Sequence, residues 1–263
     1  LQSFFGDIIF VADQKELKDR GIVVLLYGDT ASGKTYTAMT FPDPILFIDT
    51  EMRAEMTKEF CFKDKQIEVF EPMDTHDVVM KDGDVFDEHK SIENLSRKLV
   101  EVCNEVKTGS KNYKTVVIDS CTELWTWIQQ WMRVELAKAQ NKDGSRKANM
   151  IMMTVNSQLD WKIANRRHYD IVHVMRSLTR YGVNIVFTAR EEPPAPEYVA
   201  KEGVTPKDKI RSQKDLPFVA DVVFQLKKRD GKYLALCEKL GPKKPATTPV
   251  ENISYEKIRE MLK

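Results

Sequence analysis

One octapeptide constrains this chain more than any other stretch: Gly28-Asp29-Thr30-Ala31-Ser32-Gly33-Lys34-Thr35. It fits the spacing G-x-x-x-x-G-K-[ST] and follows residues 21–27, a continuous apolar run. Such a run suits a central parallel strand covered on both faces, not an alternating surface strand. Residues 34–41 read as a short helix stopped by Pro42 and Pro44. Gly28 and Gly33 permit backbone conformations that turn successive N–H groups inward, and the helix N-terminus adds the positive end of a dipole, so the loop is suited to cradling phosphate oxygens. Lys34 would neutralise the β- and γ-phosphates, and the Thr35 hydroxyl is placed to coordinate Mg²⁺. ATP and Mg²⁺ are the cofactors this predicts.

The remaining elements continue the pattern. Residues 45–48 form a second apolar strand ending at Asp49, which completes a βαβ unit. Residues 71–93 are rich in Asp and Glu with little apolar content and read as an exposed acidic insertion, with Ser91 capping a helix that carries Leu95, Leu99, Val102 and Val106. A third strand, residues 115–118, ends at Asp119. The next helix holds Leu124, Trp127, Ile128, Trp131 and Val134 on one stripe, which reads as core. A polar, turn-rich stretch at 140–147 precedes a fourth strand at 183–188. The Pro- and Lys-containing segment 191–215 is longer than a passive connector. Residues 218–226 and 232–237 read as an antiparallel pair around Asp230-Gly231, and 255–263 as a terminal amphipathic helix. The expected fold class is α/β, a P-loop core with a mostly parallel central sheet flanked by helices and a C-terminal antiparallel strand pair, with residues 1–263 as one domain.

Composition narrows the function classes. With 42% apolar and 31% charged residues, the 263-residue chain is of ordinary globular type, and neither a bilayer-spanning run nor a secretory pattern is found, so a cytoplasmic location without membrane partners is expected. Cys61, Cys103, Cys121 and Cys237 form no C-x-x-C pair, which argues against zinc or redox chemistry. A formal net charge of +1 argues against a histone-like binder.

Two carboxylates complete the candidate site. Asp119 ends an apolar strand, where phosphate-loop enzymes keep the acid that holds Mg²⁺ through water; the alternative is a strand-end turn residue. Glu51, two residues past Asp49, lies off a strand end that lines the ligand crevice in such sheets, and is the candidate general base for the water that attacks the γ-phosphate. Asp49 supports the site. An exposed strand-end carboxylate is the alternative for either residue.

Residues 47–51 (Phe-Ile-Asp-Thr-Glu), residues 116–120 (Val-Val-Ile-Asp-Ser) and the order of elements resemble the ATPase core of RecA-type recombinases, which includes RadA and KaiC relatives. The segment Ile118-Asp119-Ser120-Cys121-Thr122-Glu123-Leu124-Trp125 is most similar to small phage and archaeal ATPases of the single-strand-annealing (Sak) type. The resemblance spans roughly residues 20–240. It implies Glu51 as catalytic glutamate, Thr188 at the place of a γ-phosphate sensor that is a glutamine in RecA, with Arg190 as a substitute, and Lys239 as a lysine reaching a neighbouring subunit's ATP. It also implies self-association into a ring or filament and single-stranded DNA held by two loops, about 138–168 and 190–215. The first carries Lys142, Arg146, Lys147, Lys162, Arg166, Arg167 and His168, with Trp161 and Tyr169 as stacking surfaces; the second carries Lys201, Lys207, Lys209, Arg211 and Lys214. Glu191, Glu192, Glu197, Glu202 and Asp208 dilute the second loop. The expected function is a DNA-stimulated ATPase of recombination, annealing or replication, phage or virus encoded. The alternatives are a KaiC-like regulatory or assembly ATPase without DNA and, ranked last, a small-molecule kinase.

Overall fold

The computed structural model describes residues 20–73, 88–138, 158–192 and 209–263. In chain order the elements are β1 (Val23–Gly28), α1 (Lys34–Met39), β2 (Ile45–Asp49), α2 (Ala54–Cys61), β3 (Ile67–Phe70), α3 (Glu88–Thr108), β4 (Thr115–Asp119), α4 (Cys121–Lys138), α5 (Gln158–Leu178), β5 (Asn184–Glu192), β6 (Lys209–Arg211), α6 (Leu216–Val219), β7 (Val222–Arg229), β8 (Lys232–Leu240), β9 (Val250–Glu251) and α7 (Tyr255–Leu262). The strands form one nine-stranded sheet in the order β3-β2-β4-β5-β1-β7-β8-β9, with β6 paired to β5. Strands β3, β2, β4, β5, β1 and β7 run parallel, while β8 and β9 add on antiparallel. This is the α/β class expected from the sequence.

The unbroken apolar runs have a direct physical cause, because each strand buries both faces. In β1, Val23, Leu25 and Tyr27 enter the layer beneath α3, α4 and α5, while Val24 and Leu26 enter the layer beneath α1 and α7. β2 and β4 split their side chains in the same way. Since sequence-adjacent strands are separated by helical crossovers, the C-terminal ends of β1, β2, β4 and β5 come together at one edge of the sheet, where such folds place their ligand crevice.

Several boundaries differ from expectation. α3 begins at Glu88, so the acidic insertion does not extend to residue 93; Ser91 lies buried inside the helix and not at its cap. The extra turn is held because Ile92 packs in the core and His89 Nε2 meets Glu135 Oε1 at 2.8 Å. β5 runs on to Glu192 and zips antiparallel onto β6, so residues 190–192 and 209–211 belong to the sheet and not to a long loop. Phe218 belongs to α6, and β7 starts only at Val222. β3 and α2 were not legible as elements, because Ile67-Glu68-Val69-Phe70 is too short to show a period of its own. The stretch 140–147 and most of the acidic insertion lie outside the described residues.

Candidate active site

The loop Gly28–Thr35 joins the C-terminal end of β1 to α1 as a tight cradle. A Cβ at Gly28 would sit 2.1 Å from the carbonyl oxygen of Leu226 on the adjacent β7, so only glycine lets the two strands approach there. Gly33 caps α1 with φ +93°, a left-handed conformation that glycine adopts without steric cost. With six residues, α1 stacks few peptide dipoles, so the loop N–H groups and Lys34 dominate the site's attraction for anions. Lys34 Nζ donates to the carbonyls of Gly28 (3.0 Å) and Asp29 (2.7 Å) and to Ser32 Oγ (3.4 Å), all neutral acceptors. Burial pulls its pKa below the ordinary lysine value, while the charges of Asp119, Glu51 and Asp29 pull it back up. A phosphate would supply the anionic partner that these neutral acceptors do not.

Asp119, at the end of β4, is 6% exposed. Its Oδ2 accepts from Thr35 Oγ1 at 2.6 Å, and its Oδ1 accepts from Thr188 Oγ1 on β5. Burial raises its pKa and the two hydroxyl hydrogen bonds counter that rise. A carboxylate paired only with hydroxyls, beside the loop threonine and Lys34, is a donor set suited to a hard divalent cation such as Mg²⁺.

Glu51 stands beside it, positioned by its neighbours. The Asp49 carboxylate accepts from the backbone N–H groups of Glu51 (2.9 Å), Arg53 (2.7 Å) and Ala54 (2.6 Å), so Asp49 ties down the turn that carries Glu51 and satisfies the start of α2. Glu51 Oε1 accepts from Ser120 Oγ at 2.7 Å and pairs with Arg190 Nη2 at 3.0 Å. The strand register brings these groups together: Asp49 pairs with Asp119, Leu26 with Thr188 and Gly28 with Arg190.

A family model described as an AAA domain (AAA_24) matches residues 20–239. This chain belongs to the AAA domain family. Among solved structures it is similar to the KaiC-like protein PH0186 from the hyperthermophilic archaeon Pyrococcus horikoshii OT3, at 18% identity over 88% of this chain and 85% of that chain, with a TM-score of 0.44. No curated protein matches it.

In this AAA domain Gly28–Thr35, Lys34, Glu51, Asp119 and Thr188 therefore converge at one place. Most of them line a single cleft of about 1000 Å³. The cleft also takes in residues that the sequence reading did not assign: Tyr36, Met56, Tyr233 and the segment Asn252–Ser254. Tyr36 is 51% exposed and packs against Phe62 with ring centroids 5.0 Å apart, while the Tyr233 ring lies within contact of where a Gly33 Cβ would be. These apolar and aromatic faces are of the kind that receive a nucleobase. They come from distant parts of the chain, so no local spacing could reveal them.

Lys239 is not brought to this cleft. Its Nζ donates to the carbonyls of Pro217 (3.3 Å), Phe218 (3.3 Å) and Ala220 (2.5 Å), closing the C-terminal end of α6 within the same chain. Two residues expected to face DNA are also buried. Arg167, 6% exposed, donates from Nη2 to Ser96 Oγ at 2.8 Å and lies over the Trp131 ring, 5.0 Å from its centroid. His168 is fully buried with its ring edge-on to Trp125. Trp161, Lys162, Arg166, Lys209, Arg211 and Lys214 are exposed, whereas Lys142, Arg146, Lys147, Lys201 and Lys207 lie outside the described residues. No helix among the described residues is long and apolar enough to cross a membrane, and the four cysteines are free thiols.

Proposed function

We propose that the chain is a Mg²⁺-dependent ATPase in which the loop N–H groups and Lys34 bind the phosphates, Thr35 and Asp119 hold the metal, and Glu51 takes the proton of the attacking water. The observation that carries this reading is the convergence of Lys34, Thr35, Asp119 and Glu51 on one cleft of about 1000 Å³. When bound, Mg²⁺ neutralises charge on the phosphates. Thr188 keeps one Asp119 oxygen occupied, and Ser120 points the Glu51 carboxylate. Glu51→Gln should bind ATP and lose hydrolysis by about 100-fold or more, the usual scale for a general base. Normal turnover in that variant would remove Glu51 from the role.

Single-stranded DNA is the regulator we propose, in a protein of the Sak-type annealing or recombination class. The support is narrower than the sequence alone implied: Trp161, Lys162 and Arg166 on α5, and Lys209, Arg211 and Lys214 beside β5, are exposed, while Arg167 and His168 are core. Steady-state ATP hydrolysis with and without single-stranded DNA decides it, the expected result being stimulation that falls as salt rises. No stimulation and no salt-sensitive binding would leave the second reading, a KaiC-like assembly ATPase, which the burial of Arg167 and His168 favours and which predicts ATP-dependent oligomers indifferent to DNA. A trans role for Lys239 in such oligomers requires it to release its three carbonyls.

A further inference from the structure

Residues 119–123, from the end of β4 into α4, spend each of their polar side chains on the same small region. Asp119 meets Thr35, and Ser120 Oγ donates to Glu51. Thr122 Oγ1 accepts from the backbone N–H of Arg190 at 2.8 Å and donates to the carbonyl of Arg211 at 2.6 Å. Glu123 remains, and its Oε1 lies 3.0 Å from Arg190 Nη2. The same Nη2 lies 3.0 Å from Glu51 Oε1, and Arg190 Nε lies 3.2 Å from that oxygen. One guanidinium is thus shared by two carboxylates, the candidate base and a second acid that does not line the cleft. Arg190 itself lines the cleft, with its side chain 36% exposed.

This sharing has a chemical consequence. Glu51 Oε1 accepts from Ser120 and from two nitrogens of Arg190, while its Oε2 has no partner among the described residues and stays open to a water proton. The guanidinium therefore fixes which oxygen of the base faces outward. The guanidinium is in turn anchored by Glu123, in the first turn of α4, where a carboxylate is stabilised by the helix N-terminus.

We propose that Glu123 is a positioning residue, the anchor that holds the Arg190 guanidinium on Glu51 Oε1 at the cleft wall, so that Arg190 faces the terminal phosphate of ATP while Glu51 Oε2 is presented to the attacking water. The proposal rests on the reading of Glu51 as general base. It gives the polar sequence from Ser120 to Glu123 a role in setting the base as well as in packing α4.

Glu123→Gln, which keeps size and removes charge, is the test, measured alone and in an Arg190→Gln background. In the single variant kcat should fall about 10- to 100-fold, the scale for a misplaced catalytic group, and the preference for ATPγS over ADP should narrow. ADP affinity should stay unchanged, as it would not if the substitution merely damaged the fold. In the Arg190→Gln background, adding Glu123→Gln should change nothing further, because no guanidinium is left to anchor. Unchanged kcat in Glu123→Gln, or the same fold loss with Arg190 already removed, overturns the proposal. Normal turnover in Glu51→Gln would instead overturn the base assignment, so the two failures are distinguishable. If the wild-type protein shows no turnover, ATPγS and ADP titrations judge the Glu123 claim: an undiminished ATPγS preference in Glu123→Gln overturns it.

Discussion

A carboxylate at the end of a buried strand must be held by donors or give up its charge, and Asp119 is held by two hydroxyls, one from the start of α1 and one from β5. Removing one donor strands a buried oxygen, which costs about 1–3 kcal/mol. Thr188→Val, nearly the same shape, should therefore lower unfolding free energy by that amount in urea denaturation and reduce ATP hydrolysis; unchanged stability would mean that water replaces the hydroxyl. Gly28 is constrained by space instead of polarity. With a carbonyl oxygen 2.1 Å from where a Cβ would stand, Gly28→Ala forces β1 and β7 apart. Overpacking of this kind costs about 1–3 kcal/mol, and nucleotide binding by titration should be lost before the fold is. Both roles could be anticipated only in part. The loop pattern named Gly28 and Asp119 ended an apolar run, yet nothing in the spacing said that Thr188 would donate to Asp119, because that contact depends on β5 lying next to β4.

At the scale of elements, α5 shows how a polar stretch misleads. Arg166-Arg167-His168 reads as a basic cluster, but a helix turns successive residues about 100° apart, so Arg166 faces solvent while Arg167 and His168 face the core. Neither ring nitrogen of His168 has a hydrogen-bond partner among the described residues, and burial holds its pKa down to about 4 from an ordinary 6.5, against a smaller upward pull from Asp215. The folded state thus keeps His168 neutral where the unfolded chain takes up a proton. Its contribution to stability is fully present above pH 6.5 and is lost as pH falls toward 4, by about 3 kcal/mol at the end of that window. His168→Phe should lose less stability than the wild type between pH 7 and pH 4.5 in parallel denaturation curves; identical curves would show that the ring protonates in the folded state. In the same way β6 was hidden inside a Lys-rich segment, since three residues carry no periodic signal and only pairing with β5 makes them a strand.

Across the whole molecule the sheet is the integrating element. It carries Asp119, Thr188 and Arg190 on adjacent strands, with Glu51 just past the end of β2, and it continues through β7 to β8, whose Tyr233 lines the same cleft. Lys239 links that pair to α6 through three carbonyls. Lys239→Met should lower Tm by about 2–4 °C, the equivalent of roughly 1 kcal/mol in a chain of this size, as read by thermal unfolding. An unchanged Tm would show that the lysine contributes nothing within its own chain.

The sequence alone determined the α/β class, the phosphate cradle and the two acids at the strand ends, because these follow from local rules: apolar runs bury two faces, glycines permit tight turns, and strand ends carry the polar residues. Only the tertiary structure decided which side chains meet. Thr188 on Asp119, Arg190 between Glu51 and Glu123, Tyr233 and Tyr36 in one cleft, and Lys239 turned onto α6 all depend on strand order and register. Those are set by how the two apolar layers pack together, and that free energy is spread over the whole sheet and belongs to no single segment.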